Sequence, residues 1–387
     1  MASITTTRTS DGSPRYVVNY RDQENRQRRK SFRRKVEAQA FRNTLEADKL
    51  RGTFLDLDAG RVTFAEYAAE WLAGRTFDVS TYEATELRLR IHVLPVIGSM
   101  QLRRIKPSTI QSLLRSMELS ETYRHVIFSN VSAVFSAAVD DDLIAKNPCK
   151  ARSVSRPTTT RRKVVPWPTE WVTAMHDALP ERYQLAVTLG SGLGLRQGEI
   201  FGLSPDDFDF LRGTVQVRRQ VKLLSGNKLS FGLPKGRKTR TVPLPGSVAN
   251  QVNAHLSNSR PVEVSLPWQH PDNEERSSAS LLLTTRERSA LNRNYFNSSI
   301  WRRAQERAGV ERVRDNGMHA LRHWYASVLL DAGESIRAVS EYLGHSDPGF
   351  TLRTYTHLMP NSSERTRTAI DAKFIPNCYG SSASATA

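Results

Sequence analysis

The sequence predicts a multidomain protein that is mainly α-helical and carries small β-sheets. A chain of 387 residues exceeds one typical hydrophobic core and should divide into two or three domains. Apolar residues recur at helical spacing between residues 61 and 150, whereas β-prone runs start at Tyr16 and at Thr214. We therefore expect a small β-sheet with one helix at residues 1–60, a helical bundle at 61–150, and a mixed α+β domain at 168–375.

The charge balance predicts a nucleic-acid partner. Lys and Arg total 56 against 39 Asp and Glu, which gives a net charge of +17 and a pI near 10.2. Such a chain is attracted to polyanions, of which DNA and RNA are the commonest. A membrane surface is the rival explanation, but the sequence holds no apolar run of transmembrane length. Its start, MASITTTRTSDG, also lacks the apolar core of a signal peptide.

The cysteine count excludes two classes of protein. Cys149 and Cys378 are too few for a disulfide framework or a zinc cluster. We expect a cytoplasmic protein that acts on nucleic acid, with no membrane partner, no metal and no cofactor.

The first segment, residues 1–60, combines a β-prone run with a basic stretch. YVVNY precedes the turn-like RDQENRQ, and the stretch from Arg21 to Lys35 holds eight basic and two acidic residues. EAQAFRNTLEADKLRG, from Glu37, predicts a helix that ends at Gly52. A disordered basic tail is the alternative. The folded form is favoured by a possible small core of Tyr16, Val18, Phe32, Phe41 and Leu45. The candidate DNA contacts in this segment are Arg28, Arg29, Lys30, Arg33 and Arg34.

The second segment, residues 61–150, predicts a helical bundle. Thr63 and Ser120 stand where helix N-caps are expected, and Pro107 suits the first turn of a helix. The aromatic residues at helical spacing are typical of a core rather than of a functional site. A linker at residues 151–167 follows, and its basic, proline-containing sequence suits a strap along a phosphate backbone. Its candidate DNA contacts are Arg161, Arg162 and Lys163.

Four clusters in the third segment could carry chemistry, although each alone is weak. GLGLRQGEI places Arg196 one helical turn from Glu199, and MHALRHWYA places His319 one turn from Arg322. The others are PKGRKTRTVPL, which contains Lys235 and the further basic residues Arg237, Lys238 and Arg240, and EYLGHSDPGFTLRTYTHL, which contains His345 and Tyr355. We expect TVQVRRQVKL and RKTRTVPL to pair as a β-hairpin with Lys235 at its tip. Residues 376–387 resemble a disordered tail.

Together these clusters fit phosphoryl transfer to a tyrosine. Arg196 and Arg322 can bind the two non-bridging oxygens of a phosphodiester and stabilise a pentacoordinate transition state. A tyrosine with a pKa of about 10 needs a proton acceptor or a strongly cationic site before it attacks. Lys235 can protonate the leaving 5′ oxygen. No dense Asp–Glu set of the kind that holds Mg²⁺ accompanies them in the sequence, which favours a covalent route without metal or ATP.

Three stretches resemble the tyrosine recombinase family, and specifically its phage-type, lambda-like integrases. They are GLGLRQGEIFGLSPDDFDF, HALRHWYAS and LGHSDPGFTLRTYTH. The resemblance implies an active site of Arg196, Lys235, His319, Arg322, His345 and Tyr355, with Glu199 as a supporting acid. It implies an arm-type DNA-binding domain at 1–60, a helical core-binding domain at 61–150, and a mixed α+β tyrosine-recombinase catalytic domain at 168–375.

The resemblance also implies the function and the partners. We expect cleavage and rejoining of double-stranded attachment-site DNA through a 3′-phosphotyrosyl intermediate, which integrates and excises phage or mobile-element DNA. The expected assembly is a homotetramer on DNA, helped by a DNA-bending host factor and a directionality factor.

Several alternatives stay open. Lys238 competes with Lys235 for the role of general acid, and Tyr325 and Tyr342 are alternative nucleophiles by residue type. A type IB topoisomerase uses the same chemistry without exchanging DNA partners. A non-catalytic DNA-binding regulator is the alternative from another class of protein.

Overall fold

The structure is a computed structural model that describes residues 2–21, 26–50, 60–159, 163–355, 367 and 371. The chain forms two compact units, Met1–Arg161 and Arg162–Ala387. Helices dominate both units, and small antiparallel sheets accompany them. Within the described residues, no helix combines the length and the apolar character needed to cross a membrane. The predicted multidomain α-rich fold with small sheets is confirmed.

The N-terminal unit begins with a three-stranded antiparallel sheet and a helix. The elements are β1 (Ser3–Arg8), β2 (Pro14–Arg21), β3 (Gln27–Phe32) and α1 (Lys35–Leu50), with β2 in the centre of the sheet. Because side chains alternate along β2, Val18 and Tyr20 are buried against Ala38 and Leu45 of α1. The segment is therefore folded, as expected, and not a basic tail. The predicted helix end at Gly52 lies outside the described residues.

A helical bundle completes this unit. Its helices are α2 (Phe64–Ala73), α3 (Val79–Arg88), α4 (Leu94–Ile97), α5 (Pro107–Arg115) and α6 (Glu121–Asp140). Thr63 caps α2 in a reciprocal pair with Glu66, and the Ser120 side chain accepts from the Tyr123 N–H at the start of α6. The aromatic residues of the bundle, such as Phe64 and Phe135, lie in its core, as expected.

The C-terminal unit mixes helices with short strands. It contains, in order, α7 (Thr169–Ala178), α8 (Glu181–Leu193), α9 (Gln197–Phe201), β4 (Phe208–Asp209), β5 (Thr214–Val217), β6 (Gln220–Leu223), β7 (Leu229–Gly232), β8 (Arg240–Pro243), α10 (Gly246–Asn258), β9 (Val262–Pro267), β10 (Arg276–Leu281), α11 (Arg293–Tyr295), α12 (Arg302–Ala308), α13 (His319–Asp331), α14 (Ile336–Leu343) and α15 (Pro348–Tyr355). Helix α8 is buried along most of its length and packs against α13.

The predicted pairing of the run from Thr214 with the run from Arg237 is confirmed for the first half of the former only. The stretch from Thr214 forms two strands, of which β5 pairs with β8 and β6 pairs with β7. The break falls at Arg218 and Arg219, whose side chains both form ion pairs with the buried Asp207. Consecutive side chains of a regular strand point to opposite faces, so the carboxylate that both arginines contact fits the interruption between β5 and β6. Lys235 therefore lies on the loop 233–239 between β7 and β8.

Candidate active site

Glu199 is a fully buried carboxylate held by two arginines. Arg196 precedes α9, and its backbone N–H and its Nη1 each lie 2.9 Å from a Glu199 carboxylate oxygen. Arg240, from β8, binds the same carboxylate through Nη1 at 2.9 Å and Nη2 at 2.7 Å. Burial raises the pKa of Glu199, but the hydrogen bonds and charges of Arg240 and Arg196 outweigh burial and lower this pKa to about 2. Glu199 is therefore an anion that joins α9 to β8.

Arg240 is a predicted DNA contact, but its side chain is buried. Its side chain is 7% exposed, and its Nε donates to the Tyr342 carbonyl at 2.7 Å. Because the guanidinium is occupied by Glu199 and Tyr342, this placement argues against a role in binding the DNA backbone. Arg240 instead links the sheet to the end of α14.

Arg322 lies inside the unit, on α13, and is 1% exposed. Its Nη1 donates to the Gly194 carbonyl at 2.7 Å, and its Nη2 donates to the Leu343 carbonyl and to His345 Nε2 at 3.0 Å. Gly194 ends α8 with a φ of 63°, and a Cβ there would lie 2.4 Å from the ring of Tyr325, so the close approach requires glycine. Burial and the neighbouring charge of Arg196 lower the pKa of Arg322 to about 9, which leaves it cationic at neutral pH.

The C-terminal end of α14 brings the separate motifs together. The three successive carbonyls of Tyr342, Leu343 and Gly344 accept hydrogen bonds from Arg240, Arg322 and Arg196, respectively. The last carbonyls of a helix have no partner within the helix and carry its negative dipole end, so they suit three cations. Gly344 ends the helix with a φ of 62°. The predicted arginine pair, Arg196 and Arg322, is thus held at neighbouring carbonyls.

His345 is a neutral histidine with a defined tautomer. Arg322 can only donate, so His345 Nε2 accepts from it. The ring proton then lies on Nδ1, which donates to Thr351 Oγ1 at 2.7 Å. Burial, followed by the charge of Arg322, lowers the pKa of His345 to about 3. His345 thereby connects α13 to α15, the helix that carries Tyr355.

His319 and Lys235 lie at the edge of this group. The His319 side chain is exposed, and its pKa is lowered by partial desolvation and by the charges of His323, Arg322, Arg196 and Lys235. Lys235 itself is exposed, as is Lys238 on the same loop. The choice between these two lysines as general acid therefore stays open.

Tyr355 is buried at the end of α15, with 1% of its surface exposed. Its hydroxyl lies 2.6 Å from His323 Nδ1, and the two ring centroids are 5.7 Å apart. Burial raises the pKa of Tyr355 to about 12, although the charge of Arg322 opposes the rise. His323 is not among the site residues that the sequence predicts. The available signal was its position four residues after His319 and one after Arg322, which puts all three on neighbouring faces of one helix.

The predicted DNA contacts outside this group are mostly exposed. Arg29, Arg33 and Arg34 are exposed beside or on β3, and Lys163, Arg237 and Lys238 are exposed in the C-terminal unit. Arg28 and Lys30 are half-buried, and Lys30 Nζ lies 4.6 Å from the centroid of the Phe41 ring. Arg161, Arg162 and residues 376–387 lie outside the described residues. In the ranges that the structure describes, no cluster of three or more His, Cys, Asp or Glu side chains could hold a metal.

Comparison with known families identifies the fold. The model of the phage integrase family matches residues 169–362, which are half of the chain. The model of the phage integrase N-terminal SAM-like domain matches residues 63–117.

Relatives and solved structures agree with these matches. A tyrosine recombinase XerC-like protein of Caldanaerobacter subterraneus is 27% identical over 83% of this chain and 86% of its own. A putative prophage phiRv2 integrase of Mycobacterium tuberculosis is 27% identical over 85% of this chain and 84% of its own. The Tn1549 transposon integrase, solved with a circular intermediate DNA, has a TM-score of 0.65 at 20% identity and covers 80% of this chain and 99% of its own.

A lambda integrase tetramer bound to a Holliday junction shares the fold as well. Its TM-score is 0.56 at 15% identity, and the match covers 89% of this chain and 96% of that one. The chain therefore belongs to the phage integrase family and is a tyrosine recombinase, an enzyme that cleaves and rejoins DNA through a tyrosine.

Proposed function

We propose that the chain is an integrase that cleaves double-stranded attachment-site DNA through Tyr355 and rejoins it to a new partner. Attack of the phenolic oxygen on the scissile phosphate forms a 3′-phosphotyrosyl bond and releases the 5′ oxygen. Because the new phosphodiester retains the energy of the broken bond, the released or exchanged 5′ hydroxyl can reverse the step without ATP. Integration and excision of phage or mobile-element DNA follow from two such strand exchanges.

One observation carries the assignment of the site. Arg196 and Arg322 bind the adjacent carbonyls of Gly344 and Leu343, so two guanidinium groups from distant parts of the chain lie side by side. A guanidinium has five N–H donors. The hydrogen bonds described above occupy three donors of Arg322 and two of Arg196, which leaves donors on both for the non-bridging oxygens of one phosphate. Such charge stabilisation is the main catalytic task in phosphoryl transfer.

The site is closed around its reacting groups. Arg322 and Tyr355 are each 1% exposed, so the side chains that cover them must give way when a phosphodiester enters. Lys235, exposed on the loop 233–239, can approach the leaving 5′ oxygen from the solvent side as the general acid. Glu199 acts through Arg196 and Arg240, which it holds in place.

The domain plan and the partners are part of the same proposal. Residues 1–60 bind arm-type DNA, 61–150 bind the core site, 151–167 link the two units, and 168–375 carry out catalysis. The match of residues 63–117 to a phage integrase N-terminal domain supports the second assignment. A homotetramer during strand exchange is supported by the tetrameric lambda integrase that shares the fold. A DNA-bending host factor and a directionality factor are expected from the resemblance to lambda-like integrases.

The test is covalent capture of DNA. Duplexes tiled across the DNA that flanks the gene, each with a nick that traps the cleaved strand, are incubated with the protein and resolved under denaturing conditions. We expect the wild-type protein and Tyr342→Phe to form an adduct and recombinant product, and Tyr355→Phe to bind DNA without forming the adduct. An undiminished adduct with Tyr355→Phe refutes the assignment of the nucleophile. Adduct without recombinant product favours a topoisomerase, and neither favours a regulator.

A further inference from the structure

The hydrogen bond of Tyr355 identifies a proton acceptor at the nucleophile. In the part of the chain that the structure describes, the Tyr355 hydroxyl has one hydrogen-bond partner, His323 Nδ1 at 2.6 Å. Tyr355 is 1% exposed, and a buried O–H without an acceptor is costly. The hydroxyl therefore donates to Nδ1, and the proton of the His323 ring lies on Nε2.

The other polar groups of the site are not placed for this role. His345 is committed to Arg322 and Thr351 through its two ring nitrogens. His319 contacts the His323 ring edge-on, with the centroids 4.6 Å apart, and among the described residues it forms no hydrogen bond with the Tyr355 hydroxyl. Arginine and protonated lysine have no lone pair to offer. Among the described residues, His323 is thus the base that touches the attacking oxygen.

The chemistry needs such a base. With a pKa of about 12, Tyr355 is ionised in roughly one molecule in 10⁵ at pH 7. Burial, followed by the charge of Arg322, lowers the pKa of His323 to about 4, so its ring is neutral and can accept a proton at neutral pH. The charge of Asp315, in the turn before α13, opposes this shift and stabilises the imidazolium that forms.

We propose that His323 is a further catalytic residue, the general base that removes the phenolic proton of Tyr355 as the tyrosine attacks DNA. The O–H bond of Tyr355 breaks and its proton moves to His323 Nδ1, while the phenolic oxygen forms a bond to phosphorus. The bond from phosphorus to the 5′ oxygen breaks, and that oxygen keeps the electron pair and takes a proton from the general acid. In the rejoining step, the imidazolium returns its proton to the departing phenolic oxygen. The inference rests on the proposed function, because it takes Tyr355 as the nucleophile.

His323→Asn is the informative variant. The asparagine Oδ1 can accept the hydrogen bond near the position of Nδ1, but it cannot take up the proton. His270→Asn, at an exposed histidine of the same unit, is the matched control. Single-turnover cleavage of the nicked duplex that the wild-type protein cleaves is measured from pH 6 to pH 8. General-base catalysis typically contributes ~10²–10⁴-fold, so we expect His323→Asn to cleave slower by that factor, with DNA affinity unchanged.

The pH profile separates proton removal from a structural effect. Because His323 is neutral well above a pKa of about 4, the wild-type rate should be flat between pH 6 and pH 8. The groups that face His323 are His319 and Arg322 on α13, Tyr355 on α15 and Asp315. Arg322 stays cationic and Tyr355 stays protonated in this range, and the lowered pKa of His319 favours its neutral ring. Without the base, the cleavage rate should follow the fraction of Tyr355 that is phenolate and rise about tenfold per pH unit.

A reduced cleavage rate of His323→Asn with a flat pH profile contradicts the proposal and indicates a structural role. A rate equal to or above wild type also contradicts it, because the hydrogen bond then only holds Tyr355.

A sulfur substrate and a parallel variant complete the test. Replacing the bridging 5′ oxygen by sulfur removes the need for a general acid, so it should restore cleavage to Lys235→Ala but not to His323→Asn. If the sulfur substrate restores cleavage to His323→Asn, then His323 is not the general base for Tyr355. Tyr355→Phe is assayed alongside. If Tyr355→Phe forms an adduct, the proposed nucleophile is wrong. If Tyr355→Phe is inactive and His323→Asn is fully active, the nucleophile stands and only the proposed general base is wrong.

Discussion

Neutralising Glu199 should destabilise the C-terminal unit more than neutralising one partner of an exposed ion pair. Glu199→Gln keeps the size of the side chain and removes the charge that faces Arg196 and Arg240. The pKa of Glu199 falls from 4.5 to about 2, which corresponds to about 3 kcal/mol of stabilisation at neutral pH. This value agrees with the cost of about 3–5 kcal/mol that is typical when one partner of a buried ion pair is removed. In a unit of this size, 3 kcal/mol lowers the melting temperature by roughly 6–12 °C.

Urea unfolding followed by tryptophan fluorescence measures this loss. Five of the six tryptophans lie in Arg162–Ala387, so the signal reports mainly the unfolding of that unit. The control is Glu306→Gln, whose pair with Arg312 is exposed, with 51% and 40% of the two side chains accessible. We expect the control to change the unfolding free energy by less than about 1 kcal/mol. A Glu199→Gln variant as stable as this control would refute the reasoning.

The pH dependence of the same measurement gives a second check. A carboxylate whose pKa is lowered by folding stabilises the protein above the unfolded pKa, and this stabilisation is lost as the pH falls from 4.5 towards 2. The difference between wild type and Glu199→Gln should therefore narrow on acidification, by about 1 kcal/mol at pH 4. A difference that stays constant between pH 7 and pH 4 contradicts the assigned cause.

Three further predictions concern other parts of the chain. Gly344→Ala should lower the unfolding free energy by about 1–3 kcal/mol, because the residue has a φ of 62° and a Cβ would lie 2.9 Å from Arg240. The control in the same urea titration is Gly246→Ala, since a Cβ at Gly246 meets open space. In single-turnover cleavage, the sulfur substrate should rescue Lys235→Ala and leave Arg322→Ala inactive, and rescue of Lys238→Ala instead would transfer the role of general acid to Lys238. Residues 61–387 should lose part of the footprint of the full chain on attachment-site DNA, and identical footprints would contradict arm binding by residues 1–60.

Much of the local structure could be predicted because short-range chemistry decides it. The N-caps Thr63 and Ser120 and the first-turn Pro107 act on backbone groups within one helical turn, so their effect can be recognised in the sequence. The same holds for the alternation that buries Val18 and Tyr20 in β2. These contacts involve neighbours along the chain, and the three-dimensional fold is not needed to find them.

The pairing of the run from Thr214 was predicted only in part, since its first half, β5, pairs with β8 as expected and its second half, β6, pairs with β7. The run from Thr214 alternates throughout, and nothing within it marks the break. The break coincides with the ion pairs to Asp207, a buried carboxylate that precedes the run. A basic composition is similarly uninformative about Arg240, whose buried position depends on Glu199 and on the end of α14.

The family, the helical character of most of the chain and the residue types that the chemistry requires can all be recognised in the sequence. Motif spacing is sufficient for this, since Arg196, Arg322 and Tyr355 stand in recognisable local contexts. Which of these groups come into contact depends on the folded unit. It brings three arginines to successive carbonyls at the end of α14, and it places His323 against the Tyr355 hydroxyl. The physical reason is that hydrogen bonds of about 3 Å between residues far apart in the chain depend on how helices and strands pack, and packing is a property of the whole unit.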